Sequence, residues 1–283
     1  MARALNGTAV RTYTDAEILI LEPRWKDDNP LVRLAAAINR VDILILAEVS
    51  LPPASVEEQL NIDSAEFRYA GGNYQRVHFY CRFDNRFLTL LSETDKYSIR
   101  RLRLPARKEL LLVGAHLPSL MAVSAAHIAE ECRFLSAEIQ RIESVENHRR
   151  TVLMGDLNLN PFDSVLVQTT GLHAVASRIT ALRNTRTVQN RSFPFFYNPM
   201  WGYLGDRHSD SAGTFYYGSS EHLAYFWNTF DQVLLRPELV EDFSHDQVQV
   251  LTRIGSIDLV KGNGRPDGSV GSDHLPVTLE LNF

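Results

Sequence analysis

The stretch Asp42-Ile43-Leu44-Ile45-Leu46-Ala47-Glu48 decides the fold. A short continuous apolar run from Ile43 to Ala47 is the pattern of a strand buried on both faces, introduced by Asp42 and closed by Glu48. Ile18 to Leu21 has the same character. Between the two runs, Asn29-Pro30 followed by Leu31, Leu34, Ala35 and Ile38 predicts a helix cap, a proline at the first helical position and an amphipathic helix ending near Arg40. The order strand, helix, strand predicts two neighbouring strands with the helix as their crossover.

Working outward, Val77, Phe79, Cys81 and Phe83 alternate with Arg76, His78, Tyr80 and Arg82, the period of a strand covered on one face. Leu88 to Leu91, Ile99 to Leu104 and Leu110 to Ala115 read as further strands, mostly antiparallel because their links are short. From Ala122 to about Glu146 the spacing of Ile128, Cys132, Leu135 and Ile139 predicts a helix. Thr151 to Met154 returns to a short buried strand, and later strands are expected at Thr229 to Leu235, Val248 to Arg253 and Val277 to Leu281. Arg191 to Gly218, rich in Pro, Gly and aromatics, reads as a long loop. No repeat or linker divides residues 1–283, so one domain is expected. Strands in two groups with helices outside each predict two sheets packed face to face.

Bulk properties narrow the class. Hydrophobic residues make up 45% and charged residues 22%, a globular composition. The two cysteines, Cys81 and Cys132, have no metal-ligand spacing and no disulfide framework is expected. The first ten residues lack the apolar core of a secretory signal, and no run is long enough to span a membrane, so a cytoplasmic protein is expected. Net charge is -5, which argues against a protein that coats nucleic acid. Two stretches stand apart: Lys96 to Lys108 has six basic residues and no acid, and Ala174 to Arg191 has four arginines and no acid. Either can face a polyanion or be a solvated edge.

Polar residues set directly after buried strands carry the chemical information, because strand ends project from a rigid frame into a cleft. Glu48, His116, Asp156 with Asn158, Asp231, and Ser272-Asp273-His274 occupy such places. Together they supply carboxylates for a hard cation, a base for water and donors for developing charge, the inventory of a phosphodiester hydrolase. In that chemistry Glu48 offers oxygen ligands to Mg²⁺ or Mn²⁺. Asp156 orients or deprotonates the attacking water, and the Asn158 amide donates to a phosphate oxygen. His274, held by Asp231, either stabilises the transition state as a cation or works as a base. The aromatic residues from Phe193 to Tyr203, including Trp201, with Phe215, Tyr216 and Tyr217, either stack on bases or fill a loop core.

In the order of its motifs from Asp42 onward, the chain resembles the endonuclease/exonuclease/phosphatase superfamily, also called DNase I-like. The motifs are Asp42 to Glu48, Gly114-Ala115-His116-Leu117-Pro118, Gly155-Asp156-Leu157-Asn158, Thr229-Phe230-Asp231-Gln232-Val233 and Gly271-Ser272-Asp273-His274-Leu275-Pro276. The resemblance implies a four-layer α/β/β/α sandwich of two packed, mixed, mainly antiparallel sheets flanked by helices. It implies a divalent-metal-dependent phosphodiesterase, with Glu48 and Asp273 at the metal and His116 on the phosphate or leaving-group side. A nuclease acting on DNA or RNA is the leading expectation, a hydrolase of phospholipid headgroups, inositol phosphates or another small phosphoester the alternative, and a non-catalytic nucleic-acid-binding member the third. One departure is visible. The family's first strand ends in an Asn, whereas here Ile18 to Leu21 leads into Glu22-Pro23, with Asn6 and Asn29 as distant substitutes.

Overall fold

The computed structural model describes residues 15–21, 41–49, 51–62, 66–73, 76–206, 211–220 and 222–282. Its strands are β1 (Asp15–Leu21), β2 (Val41–Ala47), β3 (Arg68–Tyr69), β4 (Val77–Cys81), β5 (Leu88–Glu93), β6 (Tyr97–Leu102), β7 (Leu110–His116) and β8 (Thr151–Asp156). They continue with β9 (Ala174–Val175), β10 (Thr185–Val188), β11 (Arg191–Pro194), β12 (Phe196–Tyr197), β13 (Phe215–Tyr216), β14 (Trp227–Asn228), β15 (Asp231–Leu235), β16 (Val248–Val250), β17 (Arg253–Ile254), β18 (Ile257–Asp258) and β19 (Val277–Asn282). The helices are α1 (Pro53–Leu60), α2 (Ala125–Glu146), and the single turns α3 (Ser164–Val167) and α4 (Arg178–Ala181).

Two sheets dominate. One has the order β16-β19-β1-β2-β4-β3, the other β5-β6-β7-β8-β15-β12-β9. β1 and β2 are parallel, as the two apolar runs predict, while the intervening helix expected at Asn29 to Arg40 lies outside the described residues. β7 and β8 are also parallel, and α2 connects them.

Period-2 patterning explains the layers. Ile43 and Ile45 of β2 join Phe79 and Cys81 of β4, Leu110 and Leu112 of β7, and Val152 and Met154 of β8 in the core between the sheets. On the outer face of the second sheet, Leu111, Val113 and Leu153 meet Ile128, Cys132, Leu135 and Ile139, the helical stripe of α2. Ser124 caps α2 and Asn147 ends it in the left-handed region, so the helix begins slightly later than its spacing suggests. Leu19, Leu44 and Leu46 face the other way and pack with Val56 and Leu60 of α1. Each such side chain contributes roughly 1.5–3 kcal/mol by leaving water.

Two expectations need correction. β4 is buried on both faces rather than one, because α1, which the sequence reading did not mark, covers the face carrying His78 and Tyr80. The stretch Arg191 to Gly218 is only partly loop: β11 pairs with β10, and β12 adds to the second sheet. Phe195, Phe196 and Tyr197 are accordingly core residues. Among the described residues no helix is long and apolar enough to cross a membrane.

Candidate active site

Strand direction brings the polar strand ends together. β1 and β2 run parallel, and β19 starts opposite the end of β1, with Ile20 facing Val277. Glu48 and the segment Ser272 to Pro276 therefore emerge at the same end of the first sheet. In the second sheet His116 pairs with Asp156 across the parallel β7/β8 ladder, and Asp231 pairs with Asp156 across the antiparallel β8/β15 ladder. Asp156 is thus flanked on both sides by chemistry-bearing neighbours, at spacings that ladder hydrogen bonds enforce. Gly155, one residue earlier, lies so close to β7 that a Cβ would collide with the Ala115 carbonyl, which explains the residue choice in that motif.

The side chains form two linked groups. In the first, His116 Nε2 lies 3.4 Å from Glu48 Oε1 and 3.7 Å from Asp156 Oδ2. His116 is buried, whereas Glu48 is exposed and its backbone is left-handed at φ 52°. In the second, His274 Nδ1 stands 2.9 Å from Asp231 Oδ2, and both residues are buried. Ser272 Oγ accepts from the His274 amide, and the Phe215 ring packs on the imidazole at 4.6 Å between centroids. The Thr214 hydroxyl accepts from the amides of Phe230 and Asp231, while its carbonyl accepts from the Leu275 amide, tying both arms of this pair to one residue. Asp273, partly buried, sits between Ser272 and His274.

Asn158 departs from its expected use. Its amide nitrogen Nδ2 donates to Leu117 O and to Asp156 Oδ2, both at 2.9 Å, and its backbone N–H donates to Asp156 Oδ1 at 2.7 Å. Both Nδ2 protons thus have partners inside the protein, and the group orients the carboxylate. The sequence reading missed Asn160, Asp163 and Asn228. Asn160 Nδ2 donates to Asn228 Oδ1, and Asn160 Oδ1 accepts from the Thr229 amide. These three residues line, with Asn158, Phe215, Phe230 and His274, a cavity of about 550 Å³. The alternation of asparagines at 158 and 160 was the available signal.

The donor set suits a hard cation: carboxylate oxygens gather at one end, with no thiolate among them. No group of three or more His, Cys, Asp or Glu side chains converges as a ligand cluster among the described residues. Glu48 and Asp156, facing the same imidazole nitrogen, are the carboxylates placed to hold a hard cation. Asn6, Glu22 and Asn29 lie outside the described residues.

Arg101, Arg103 and Arg178 of the two basic stretches lie away from the cleft. β6 runs antiparallel to β7, so Arg101 and Arg103 lie at the end opposite His116. The second stretch belongs to the same far end: Arg178 donates to the carbonyls of Phe243 and Glu241, and β12 meets β15 at Leu235. Lys96 alone of the first stretch reaches the site end, where its carbonyl accepts from His116 N and its ammonium pairs with Asp95 and Glu131.

The family model described as the Endonuclease/Exonuclease/phosphatase family matches residues 11–274, from before β1 through His274. The chain belongs to this family. Members of the endonuclease/exonuclease/phosphatase family are hydrolases of phosphoester bonds, and the sandwich seen here is theirs. Among solved structures, an endonuclease/exonuclease/phosphatase family protein from Bacteroides thetaiotaomicron is 12% identical with a TM-score of 0.56, covering 95% of this chain and 98% of that one. Sphingomyelinase C from Streptomyces griseocarneus is 13% identical with a TM-score of 0.53, covering 95% and 99%. D. rerio TDP2, complexed with single strand DNA product, is 16% identical with a TM-score of 0.52, covering 95% and 100%. These likenesses are likenesses of fold. No curated protein matches the chain by sequence.

Proposed function

We propose that this chain is a divalent-metal-dependent phosphodiester hydrolase. The observation that carries the reading is the ladder His116-Asp156-Asp231, with Glu48 beside His116 at one end of it and His274 beside Asp231 at the other. When bound, Mg²⁺ or Mn²⁺ supplies charge neutralisation at a phosphate oxygen. Glu48 and Asp156 hold that ion, with Asp273 adjoining. Asp156, fixed by two donors from Asn158, orients the attacking water and takes its proton as oxygen bonds to phosphorus. The ester P–O bond then breaks, and the departing oxygen takes a proton from bulk water. Asp231 engages Nδ1 of His274, which leaves Nε2 as the nitrogen to face the phosphate; in the imidazolium form it donates toward the phosphate oxygens as their charge grows. His116 acts as a positioning residue between the two carboxylates rather than as a group beside the leaving oxygen.

Substrate readings divide on charge. A nuclease is supported by aromatic side chains at the cleft, Phe215, Tyr217, Tyr225 and Phe226, which offer flat faces for bases. Against it stand the arginines at the far end and a cleft lining without Lys or Arg among the described residues, since a polynucleotide is gripped through its phosphates. A phosphodiester with an uncharged or zwitterionic body fits that lining better.

The test is hydrolysis of bis(p-nitrophenyl) phosphate, supercoiled DNA, single-stranded DNA and RNA with Mg²⁺, Mn²⁺ or EDTA. Turnover that requires the metal and vanishes in Asp156→Ala and His274→Ala is expected. Cleavage that persists in EDTA, or binding to nucleic acid with no hydrolysis of any phosphoester, would overturn the assignment. Steep loss of affinity for DNA as salt rises would restore the nuclease reading.

A further inference from the structure

Two loops form the mouth of the cleft, 119–123 and the described residues of 217–226. Neither contains a Lys or Arg in its sequence. They carry Leu120, Met121, Tyr217, Leu223, Tyr225 and Phe226, all lining the cavity and all exposed, with Met121 at 83% and Leu223 at 72%. Phe162, also exposed, extends the patch through its contact with Tyr225, 5.3 Å between ring centroids, and Trp201 backs it at 6.4 Å from Phe162. Thirteen large apolar side chains are exposed among the described residues, and seven of them sit here, so the distribution is concentrated rather than scattered.

The backbone holds this patch open at a cost. Trp227 N–H donates to Tyr225 O, closing a three-residue turn with Phe226 at its centre, and Phe226 has φ 62°. A bulky residue in the left-handed region is strained, and here the strain turns an aromatic ring into water rather than into the core. Folding gains nothing from that placement.

We infer that the mouth of the cleft seats on a zwitterionic phospholipid surface, so that the substrate is a lipid-borne phosphodiester; this rests on the phosphodiesterase reading above. Three features select that occupant. Side chains exposed as fully as Met121 and Leu223 protrude beyond the cavity, where a small soluble ligand would leave them wet but an acyl boundary would bury them. Among the described residues the lining offers Asp163 and no Lys or Arg, which disfavours polyanions and strongly anionic membranes but suits a headgroup whose outermost charge is positive. Arg265 lies over the Tyr216 ring, outside the lining. A protein covering the rim would close the site, whereas a lipid surface delivers the scissile phosphate to it.

The test separates docking from chemistry. Full-length protein in EDTA is sedimented with phosphatidylcholine vesicles, at low and high salt, beside the double variant Met121→Asp with Leu223→Asp, whose fold is checked by circular dichroism. Salt-insensitive co-sedimentation of the wild type, reduced roughly tenfold or more in the variant, is expected. Wild-type protein that stays in the supernatant overturns the inference. So does capture of a single-stranded oligonucleotide that the same variant loses. Turnover of bis(p-nitrophenyl) phosphate by the wild type reports on the phosphodiesterase reading independently, because that substrate needs no surface.

Discussion

The two ends of the sandwich use charge in opposite ways. At the far end, arginines are structural. Arg236 is fully buried, donates to both oxygens of Glu143 and to Phe195 O, and lies over the Phe196 ring, while Glu143 also accepts from Thr151 Oγ1. Arg150 donates to Glu109 O, and Arg101 pairs with Glu146. Each of these three cations is matched to a carbonyl or carboxylate of the frame. At the site end, among the described residues, the imidazoles of His116 and His274 stand against carboxylates instead. A cluster of basic residues in a sequence therefore marks a polyanion site only if topology brings it to the cleft, and here antiparallel β6 carries it away.

The sharpest way to break this comparison is at Asp156. Replacement by Ala is expected to lower kcat roughly a thousandfold or more with little change in thermal stability, read from steady-state kinetics beside calorimetry. Stability lost with activity retained would move the chemistry elsewhere. The mirror experiment is Arg236→Met. It strands a buried Glu143 and is expected to cost about 3–5 kcal/mol in denaturant unfolding, while the surviving folded fraction keeps its specific activity.

A smaller effect comes from His78, one residue into β4 and paired with Leu46 near the exit of β2. Burial, aided by the Arg100 guanidinium, lowers its pKa from 6.5 to about 4. The unfolded chain takes up the proton as pH falls through about 6.5, whereas the folded protein resists until about 4. Stability is therefore fully present above about 6.5 and is lost across that window, by at most about 3 kcal/mol. His78→Gln should flatten the unfolding free energy between pH 6.5 and 4; an unchanged slope would assign the acid sensitivity to other groups. The smallest expected effect is Arg103→Glu. Its partner Glu109 lies 2.8 Å away on the far end, and turnover on any substrate should stay within about twofold. A large loss on DNA alone would reconnect that end to substrate.

Much of this architecture was legible because strand ends were. Continuous apolar runs marked β1, β2 and β8, and Glu48 after β2 and Asp156 at the end of β8 are among the residues that the sheets bring together. Helix α2 was legible from Ile128, Cys132, Leu135 and Ile139, which repeat along one face. α1 was not: eight residues with two buried side chains, Val56 and Leu60, give too short a period to stand out. The second face of β4 was misread for that reason. Within the site, residue identity pointed to Asp156 and His274, but the fate of the Asn158 amide depended on the distance to Leu117 O, which no spacing encodes. The apolar mouth was hidden too. Phe195 and Phe226 look alike in sequence, and only the fold buries one and turns the other outward.

Glu48 and Asn158 leave their strands with φ at 52° and 49°, a conformation that costs a residue with a side chain about 1 kcal/mol and glycine nothing. A library randomised at these two positions should consequently split by the screen applied to it. Selection for heat resistance alone should enrich glycine at both, and selection for turnover should purge it, so the two positions record which of those pressures has shaped the chain.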